Sequence, residues 1–359
     1  MSRSICEMRI SVALCTYNGS RFVREQLASV LSQTRVPDEL VVCDDCSEDD
    51  TVDMVLETLK ARGIPFTIKR NSARLGPTKN FEQAISLCTG DVITLCDQDD
   101  VWMPGKLAKL EQVFLEDPDV SYVFSDAMVV DEALRPLGYT LWEAIGFGAC
   151  EQKKFEKGTQ LEVLLRHNVV TGATLAFRSE LRQAVLPIPP EWVHDAWIAL
   201  IAACCGKKGV AFRTPLILYR QHEGQAIGGR KLTIRDRLHR ALATQREDYL
   251  KDIRRYRQVQ ERLKELKVRD SQVERLLEGK IHHLEAQAYI WDRSRLRALS
   301  IPIRELAMGR YWKFSHGWSS FGKDFLVALG LARKRPSSRA SLKRNAGGVG
   351  NDRWPRGEE

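Results

Sequence analysis

Apolar residues along the first hundred positions follow two alternating patterns. Short runs rich in apolar residues cover 9–15, 39–43, 66–69 and 92–96 and predict four strands. Between these runs, apolar positions recur every three or four residues, as they do over 22–31, which predicts helices. Strands that alternate with helices favour an α/β fold with a doubly wound, mostly parallel sheet.

Three carboxylates, Asp97, Asp99 and Asp100, follow the fourth predicted strand within four residues. A buried parallel strand carries the residues after it to the mouth of an open sheet, where such folds bind ligands. The three acids repel one another unless a cation neutralises them. Carboxylate oxygens suit Mg²⁺ or Mn²⁺, and these ions commonly accompany a diphosphate. The alternative interpretation is an acidic surface turn.

Polar residues also follow the first two predicted strands. Thr16, Tyr17 and Asn18 come after the first, and Asp44 and Asp45 come after the second. Since the carboxyl ends of parallel strands share one edge of a sheet, three separate segments should meet in one crevice.

Two common nucleotide-binding motifs are missing from the sequence. No Gly-x-Gly-x-x-Gly follows the first strand, and no Gly-x-x-x-x-Gly-Lys-[Ser/Thr] occurs, so dinucleotide and P-loop sites are disfavoured. Cys43 and Cys46 form a Cys-x-x-Cys pair without a second pair at zinc-site spacing. The nine cysteines are therefore predicted to act mainly as small buried apolar residues.

The composition and apolar periodicity of the remaining chain change at two places. An irregular segment over 131–158, rich in glycine and aromatics, is interpreted as a substrate-binding loop or a lid. From about residue 231, charged helical periodicity predicts two long helices, the second over 273–299, as an appendage or dimer stem. The aromatic stretch 311–331 is compatible with an interfacial helix and with packing onto the body. The predicted domains are a sheet domain over 1–228, a helical region over 229–332 and a disordered tail over 333–359.

The net charge of +8 is concentrated at the carboxyl end. Residues 333–359 hold eight arginines and lysines against three acidic residues, which gives this tail +5. A basic tail with one tryptophan and no base-reading module disfavours a nucleic-acid-binding function. Neither a signal-peptide pattern nor an apolar run of membrane-spanning length is present, so a cytoplasmic protein is expected, with peripheral contact at the inner membrane as an option.

Seven short motifs follow one another over roughly residues 8–225: Cys15-Thr-Tyr-Asn-Gly, Val42-Cys-Asp-Asp-Cys-Ser, Lys79-Asn-Phe-Glu, Gly90-Asp…Asp97-Gln-Asp-Asp-Val-Trp102, Val170-Thr-Gly, His194-Asp-Ala-Trp and Tyr219-Arg-Gln-His222. In this order they resemble the family-2 inverting glycosyltransferases of GT-A fold. The similarity is to the bacterial branch with rhamnosyltransferase-like members that build lipopolysaccharide or other surface polysaccharides. Cys46 stands where the family often has glycine. The Gln-x-x-Arg-Trp signature of processive members is absent, which implies a non-processive enzyme.

The resemblance implies roles for individual residues. Thr16, Tyr17 and Asp45 would cradle the nucleoside, with Asp45 accepting from a pyrimidine N3–H, and Lys79 would lie near the base or diphosphate. The full nucleotide-sugar site that it implies comprises Thr16, Tyr17, Asn18, Asp44, Asp45, Lys79, Asp97 and Gln98. The implied metal ligands for Mg²⁺ or Mn²⁺ are Asp99, Asp97 and His222, although His222 is also compatible with a surface histidine.

Asp195 is the predicted general base, because inversion needs a proton acceptor on the face opposite the leaving group. The alternative for Asp195 is a helix N-cap, and neighbouring His194 is expected to be structural. The expected activity is transfer of a hexose or 6-deoxyhexose, rhamnose among the candidates, from a UDP- or dTDP-sugar to a saccharide or lipid-linked acceptor. The competing interpretation is a catalytically inactive protein of GT-A fold that binds nucleotides or sugars.

Overall fold

The computed structural model of the chain describes residues 8–222, 243–292 and 295–331. The strands in these residues are β1 (Ile10–Thr16), β2 (Glu39–Asp44), β3 (Phe66–Arg70), β4 (Val92–Asp97), β5 (Val101–Trp102), β6 (Val120–Ser125), β7 (Met128–Val130), β8 (Pro136–Thr140), β9 (Leu175–Arg178), β10 (Lys208–Phe212) and β11 (Ile217–Arg220). The four predicted strands of the first hundred residues are thereby confirmed as β1 to β4.

The helices fall into two groups along the chain. Those of the sheet region are α1 (Val23–Leu31), α2 (Thr51–Arg62), α3 (Pro77–Leu87), α4 (Lys106–Glu116), α5 (Leu141–Ile145), α6 (Ala149–Glu156), α7 (Gln160–Arg166), α8 (Arg182–Val185) and α9 (His194–Cys204). Those of the helical region are α10 (Arg246–Glu265), α11 (Ser271–Tyr289), α12 (Arg295–Ala307), α13 (Arg310–Phe314) and α14 (Trp318–Ala328). In the described residues, no helix is both long and apolar enough to cross a membrane.

The central sheet has seven strands in the order β10-β6-β9-β4-β1-β2-β3. All neighbours pair in parallel except β9, which runs antiparallel to both β4 and β6. A smaller sheet has the order β5-β11-β7-β8. The predicted α/β class with a mostly parallel sheet and a carboxyl-terminal helical region is confirmed.

Both faces of the central sheet are covered by helices, as the mostly apolar runs predict. Along β1, Ala13 belongs to the apolar cluster on one face, and Val12 and Leu14 belong to the cluster on the other. Side chains of the helical region, including Val259 and Leu277, join the first of these clusters. The helical region therefore packs directly on the sheet domain.

Two expectations about the chain beyond β4 were wrong. The segment 131–158 is not an open loop or lid. It contains β8, α5 and α6, and its aromatic rings are buried against Phe124: Trp142, Phe147 and Phe155. The helix expected over 273–299 ends at Tyr289 and is followed by a separate helix, α12. Apolar periodicity continues across such a break, so it carries little information about helix ends. The proposed domain boundary at 228 and the tail over 333–359 lie outside the described residues.

Candidate active site

The strand ends of the central sheet bring the predicted polar segments to one edge. Thr16, the last residue of β1, pairs in register with Asp44 of β2, and Cys15 pairs with Asp97 of β4. The side chains that follow these three strands therefore share the carboxyl edge of the sheet, where open α/β sheets form their ligand crevice.

Asp44 closes the turn after β2. Its carboxylate accepts from the Thr16 hydroxyl at 2.8 Å and from the Ser47 backbone N–H at 2.8 Å, and the side chain is fully buried. Asp44 thus joins the ends of β1 and β2, and Thr16 is oriented by the same bond. Both residues shape the crevice wall.

Asp45 orders the loop that follows β3. Its oxygens accept from the Asn71 amide at 2.9 Å and from the backbone N–H groups of Leu75 and Gly76 at 2.7 and 2.8 Å. A carboxylate offers about four lone-pair sites, so one further donor can still bind. The ordered loop places the guanidinium of Arg74 over the Tyr17 ring, 3.9 Å from its centroid.

Gln98 connects the turn after β1 to residues 97–100, which we name the acidic loop. Its amide accepts from the Tyr17 N–H at 2.8 Å and donates to the Tyr17 carbonyl at 2.9 Å. A Cβ on Gly19 would lie 2.1 Å from the Gln98 amide oxygen, so a larger residue there would displace the Gln98 amide from Tyr17. Asn18 adopts a positive φ of 46° and caps the neighbouring loop by accepting from the Glu48 N–H at 2.8 Å. Tyr17, Asn18 and Gln98 hence form one fixed corner.

Lys79 lies on α3, in the predicted Lys-Asn-Phe-Glu motif. Its ammonium group contacts the Glu82 carboxylate at 2.7 Å, and Glu82 also accepts from the Ile188 backbone N–H at 2.7 Å. The side chain is one-third exposed. Lys79 is consequently tied to the segment that precedes α9.

Asp97 and Asp99 form the acidic part of the crevice. The pKa of Asp97 is raised to about 7, chiefly by burial and in addition by the negative charges of Asp99 and Asp195, against the opposing charge of Lys106. Asp99 is paired with His222, whose Nε2 lies 2.7 Å from the Asp99 carboxylate. Asp195, almost a hundred residues further along the chain, therefore lies close enough to Asp97 for its charge to act on that carboxyl.

Arg220, next to His222 in the chain, holds the acidic loop in place. It is buried, donates from Nε to the Asp99 carbonyl at 2.7 Å and pairs with the carboxylate of Glu25 on α1 at 2.5 Å. Its backbone N–H donates to Asp100 at 3.0 Å. In the Tyr219-Arg-Gln-His222 motif, His222 therefore pairs with the Asp99 carboxylate, and Arg220 fixes the backbone of the same residue.

Lys106 is the site residue that sequence reasoning missed. It is fully buried, donates to the Ala173 carbonyl at 2.9 Å and lies 3.6 Å from the centroid of the Trp102 ring. Burial lowers its pKa to about 7, against the attraction of the nearby acids. The available signal in the sequence was its position four residues before Leu110, which places Lys106 on the inward face of α4. The buried amine of Lys106 therefore lies near the carboxylates of Asp97 and Asp100.

Asp195 lies in the first turn of α9 and is buried. One carboxylate oxygen accepts from the Gly172 N–H at 2.8 Å, and the other accepts from the Asn168 amide at 3.2 Å and from the Ala196 N–H. Burial raises the pKa of Asp195 to about 6, although these three bonds oppose the shift. Asp195 is the second residue of α9, and the N-cap position belongs to Val193.

His194 packs behind Asp195 rather than into the crevice. Its ring stacks on Phe81 with centroids 4.1 Å apart, and burial lowers its pKa to about 3, so it is neutral. A Cβ on Gly172 would lie 2.5 Å from its Nε2. The ring thus packs directly on the backbone whose N–H binds Asp195.

The chemistry of the acidic loop fits a divalent cation. The Asp99 carboxylate oxygen and the His222 Nε2, both possible metal ligands, lie 2.7 Å apart. A dication would also offset the negative charges of Asp99 and Asp195, which together with burial raise the pKa of Asp97. Within the described residues, no three His, Cys, Asp or Glu side chains are arranged as a ready metal cluster. Cys46 does not contribute, because its thiol donates to the Asn71 carbonyl.

Comparison with known proteins supports this picture for the sheet domain. Residues 11–185 match the family model described as Glycosyl transferase family 2. The match covers just under half of the chain and includes β1 to β9 and the acidic loop. Asp195 and His222 lie beyond the matched residues.

Individual relatives are more distant. An uncharacterized glycosyltransferase of Nostoc, alr2836, is 29% identical over 207 residues, which cover 56% of this chain and 61% of that protein. The Escherichia coli UDP-Glc:alpha-D-GlcNAc-diphosphoundecaprenol beta-1,3-glucosyltransferase WfaP is 23% identical over 218 residues, covering 60% of this chain and 78% of that protein. This chain thus spans about three-fifths of the length of alr2836.

Among solved structures, S. aureus TarS 1-349 in complex with UDP-GlcNAc superposes with a TM-score of 0.51. The match covers 90% of this chain and 91% of TarS 1-349 at 17% identity. At that identity the similarity shows the fold alone. The rhamnosyltransferase-like branch stays a prediction.

Proposed function

We propose that this protein transfers a sugar from a nucleoside diphosphate sugar to a hydroxyl group of a saccharide or lipid-linked acceptor, with inversion at the anomeric carbon. The observation that carries the proposal is the position of Asp195, which is held by the Gly172 N–H at 2.8 Å and lies close enough to Asp97, at the end of β4, for its charge to raise the pKa of Asp97. A buried base and a separate acidic loop in one crevice are the two parts that such a displacement needs.

In the proposed reaction, the Asp195 carboxylate accepts the proton of the acceptor hydroxyl. The acceptor oxygen attacks C1 of the donor sugar, and the bond from C1 to the diphosphate oxygen breaks. The nucleoside diphosphate leaves with that electron pair. A pKa of about 6 makes Asp195 a stronger base than an exposed aspartate while it remains ionised at neutral pH.

The other residues bind and orient the donor. Tyr17 and Arg74 offer a stacked surface for the base, and Asp45 keeps one acceptor site for a pyrimidine N3–H. Thr16, Asn18, Asp44 and Gln98 fix the shape of this pocket. Lys79 is proposed to lie near the diphosphate once the donor binds.

The acidic loop is proposed to hold Mg²⁺ or Mn²⁺ through Asp99, Asp97 and His222. When bound, the cation would neutralise charge on the departing diphosphate. Lys106 beneath the loop adds a positive charge when protonated and keeps Asp97 closer to its ionised form.

A UDP- or dTDP-linked hexose or 6-deoxyhexose is the proposed donor, and the proposed role is in cell-surface polysaccharide or lipopolysaccharide synthesis on the cytoplasmic side of the membrane. The similarity to WfaP, a UDP-Glc:alpha-D-GlcNAc-diphosphoundecaprenol beta-1,3-glucosyltransferase, supports this choice. The UDP-GlcNAc complex of TarS, a protein of the same fold, supports a uridine nucleotide.

The test begins with thermal denaturation of the full chain in the presence of UDP-, dTDP- and GDP-sugars, each with and without Mn²⁺ or Mg²⁺. A ligand at 100 times its Kd stabilises the folded state by about 2.7 kcal/mol, so the true donor should raise Tm by several degrees. The donor found is then incubated with a synthetic lipid-linked or free saccharide acceptor, and NMR of the product gives the anomeric configuration. The proposal fails if no nucleotide sugar stabilises the protein, or if the configuration is retained.

A further inference from the structure

Helices α13 and α14 carry a ladder of aromatic rings on their outer side. Trp312 contacts Trp318 with ring centroids 5.2 Å apart, Trp318 contacts Phe321 at 5.8 Å, and Phe321 contacts Phe325 at 5.7 Å. Trp318 and Trp312 are 66% and 42% exposed, while Phe321 and Phe325 are partly buried. We name these four residues the aromatic face. On α14 they are spaced three and four residues apart and thus line one side of the helix.

No acidic side chain between residues 297 and 331 is exposed. Between residues 297 and 331 the only acids are Glu305 and Asp324, and both are buried. Glu305 accepts from His283 and pairs with Arg310 at 3.0 Å, and Asp324 accepts from the Tyr311 hydroxyl at 2.8 Å. Both carboxylates therefore serve the interior of the helical region.

The charges that do reach the surface of residues 297–331 are cationic. Arg297, Arg304 and Lys313 are exposed, next to the exposed apolar side chains of Ile303 and Met308. On the adjacent helices, Glu151 and Glu162 line a pocket with Trp312 and are partly buried, and Glu151 pairs with Arg166. Glu285 of α11, which lines a pocket with Arg304, is also partly buried and pairs with Arg257. Exposed tryptophans flanked by lysine and arginine, without exposed acid, match the headgroup layer of an anionic membrane.

We infer that the aromatic face and its flanking cations bind the surface of a membrane rich in anionic phospholipid. A second copy of this chain fits less well, because the two faces would bring cations together with no acid to pair with them. The sequence that follows, residues 333–359, adds a net charge of +5 and so favours the same surface.

This surface is linked to the candidate active site by a short path. The Arg166 guanidinium at the end of α7 donates to the Ser315 carbonyl beside the aromatic face at 2.9 Å. Two residues further on, Asn168 donates to Asp195. If the proposed function holds, binding at the aromatic face would keep the crevice near a lipid-linked acceptor. This consequence rests on the proposed function, whereas the lipid contact itself does not.

The test is sedimentation of the full chain with vesicles of phosphatidylglycerol and phosphatidylethanolamine, against vesicles of phosphatidylcholine alone, without donor or acceptor. We expect binding only to the anionic vesicles, with affinity that falls as salt rises. Trp312→Ser with Trp318→Ser should weaken binding about tenfold or more. The matched control is Leu115→Ser with Leu137→Ser, which removes apolar side chains of similar exposure elsewhere and should leave binding unchanged.

A second variant avoids any effect on packing. Arg297→Glu with Lys313→Glu changes two exposed side chains, and each change should weaken vesicle binding about fivefold or more with Tm unchanged. Equal binding to neutral vesicles, or full binding by the tryptophan pair variant, would overturn the inference. A dimer that the tryptophan pair converts to monomer would assign the face to a second copy, and single-stranded oligonucleotide binding in place of vesicle binding would assign it to nucleic acid. Absence of glycosyl transfer would leave these vesicle results intact.

Discussion

Asp195→Asn tests most sharply whether Asp195 is the general base or has only a structural role in the first turn of α9. Asparagine still accepts hydrogen bonds at one atom and still suits the first turn of a helix, but it cannot take a proton. Loss of a general base costs on the order of 10²–10⁴-fold in rate, and we expect kcat to fall in that range. Donor affinity should stay within about twofold, because the base contacts the acceptor hydroxyl and not the nucleotide.

The expected effect on stability is small because two terms oppose each other. Burial raises the pKa of Asp195 from 3.8 to about 6, so the ionised side chain weakens the fold at neutral pH by about 3 kcal/mol, which the neutral amide would recover. Against this, the Asn NH₂ group must face either the Gly172 N–H or the Asn168 amide, and a buried donor left without an acceptor costs about 1–3 kcal/mol. Tm should therefore change by only a few degrees.

The assay measures nucleoside diphosphate release with saturating acceptor, and donor binding by calorimetry. Glu191→Gln is the matched control, since Glu191 is exposed and its pKa is lowered by the hydrogen bond from Gln258. This control should keep near-normal turnover. Normal turnover in Asp195→Asn would refute the assignment of the base, and a large loss in Glu191→Gln alone would move the role there.

Three further outcomes follow from the geometry. Asp99→Asn should abolish Mn²⁺-dependent UDP or dTDP binding in calorimetry while Tm stays within a few degrees, and unchanged metal-dependent binding would contradict the metal assignment. Gly172→Ala should lower kcat about tenfold or more at constant donor Kd, because the new Cβ would lie 2.5 Å from His194 and displace the Gly172 N–H that binds Asp195. The control is Gly148→Ala, where the new Cβ has no neighbour within 4 Å. Equal kcat in the two variants would refute this prediction. Turnover with saturating donor and metal should rise about tenfold per pH unit up to an inflection near pH 6, since the raised pKa of Asp195 keeps the base protonated below it; a flat profile from pH 5 to 8 would count against Asp195.

The amino-acid sequence by itself determined the fold class and the side of the sheet that carries the site. The mostly apolar runs over 9–15, 39–43 and 92–96 favour strands covered on both faces, and polar residues directly after parallel strands must lie at one edge. Asp97, Asp99 and the residues after β1 and β2 could be placed together for this reason. Composition also marked the aromatic stretch 311–331, but it left the choice between an interface and the core open.

Only the tertiary structure decided which groups face each other and which are buried. Asp195, His222 and Lys106 come from elements far apart in the chain, and nothing in local periodicity specifies that the first approaches Asp97, that the second pairs with Asp99 or that the third lies beneath them. The same limit explains the error at 131–158. Glycine and aromatic residues are typical of a binding loop, yet Trp142 and its neighbours complete a core against Phe124, because burial depends on the surfaces that other segments present.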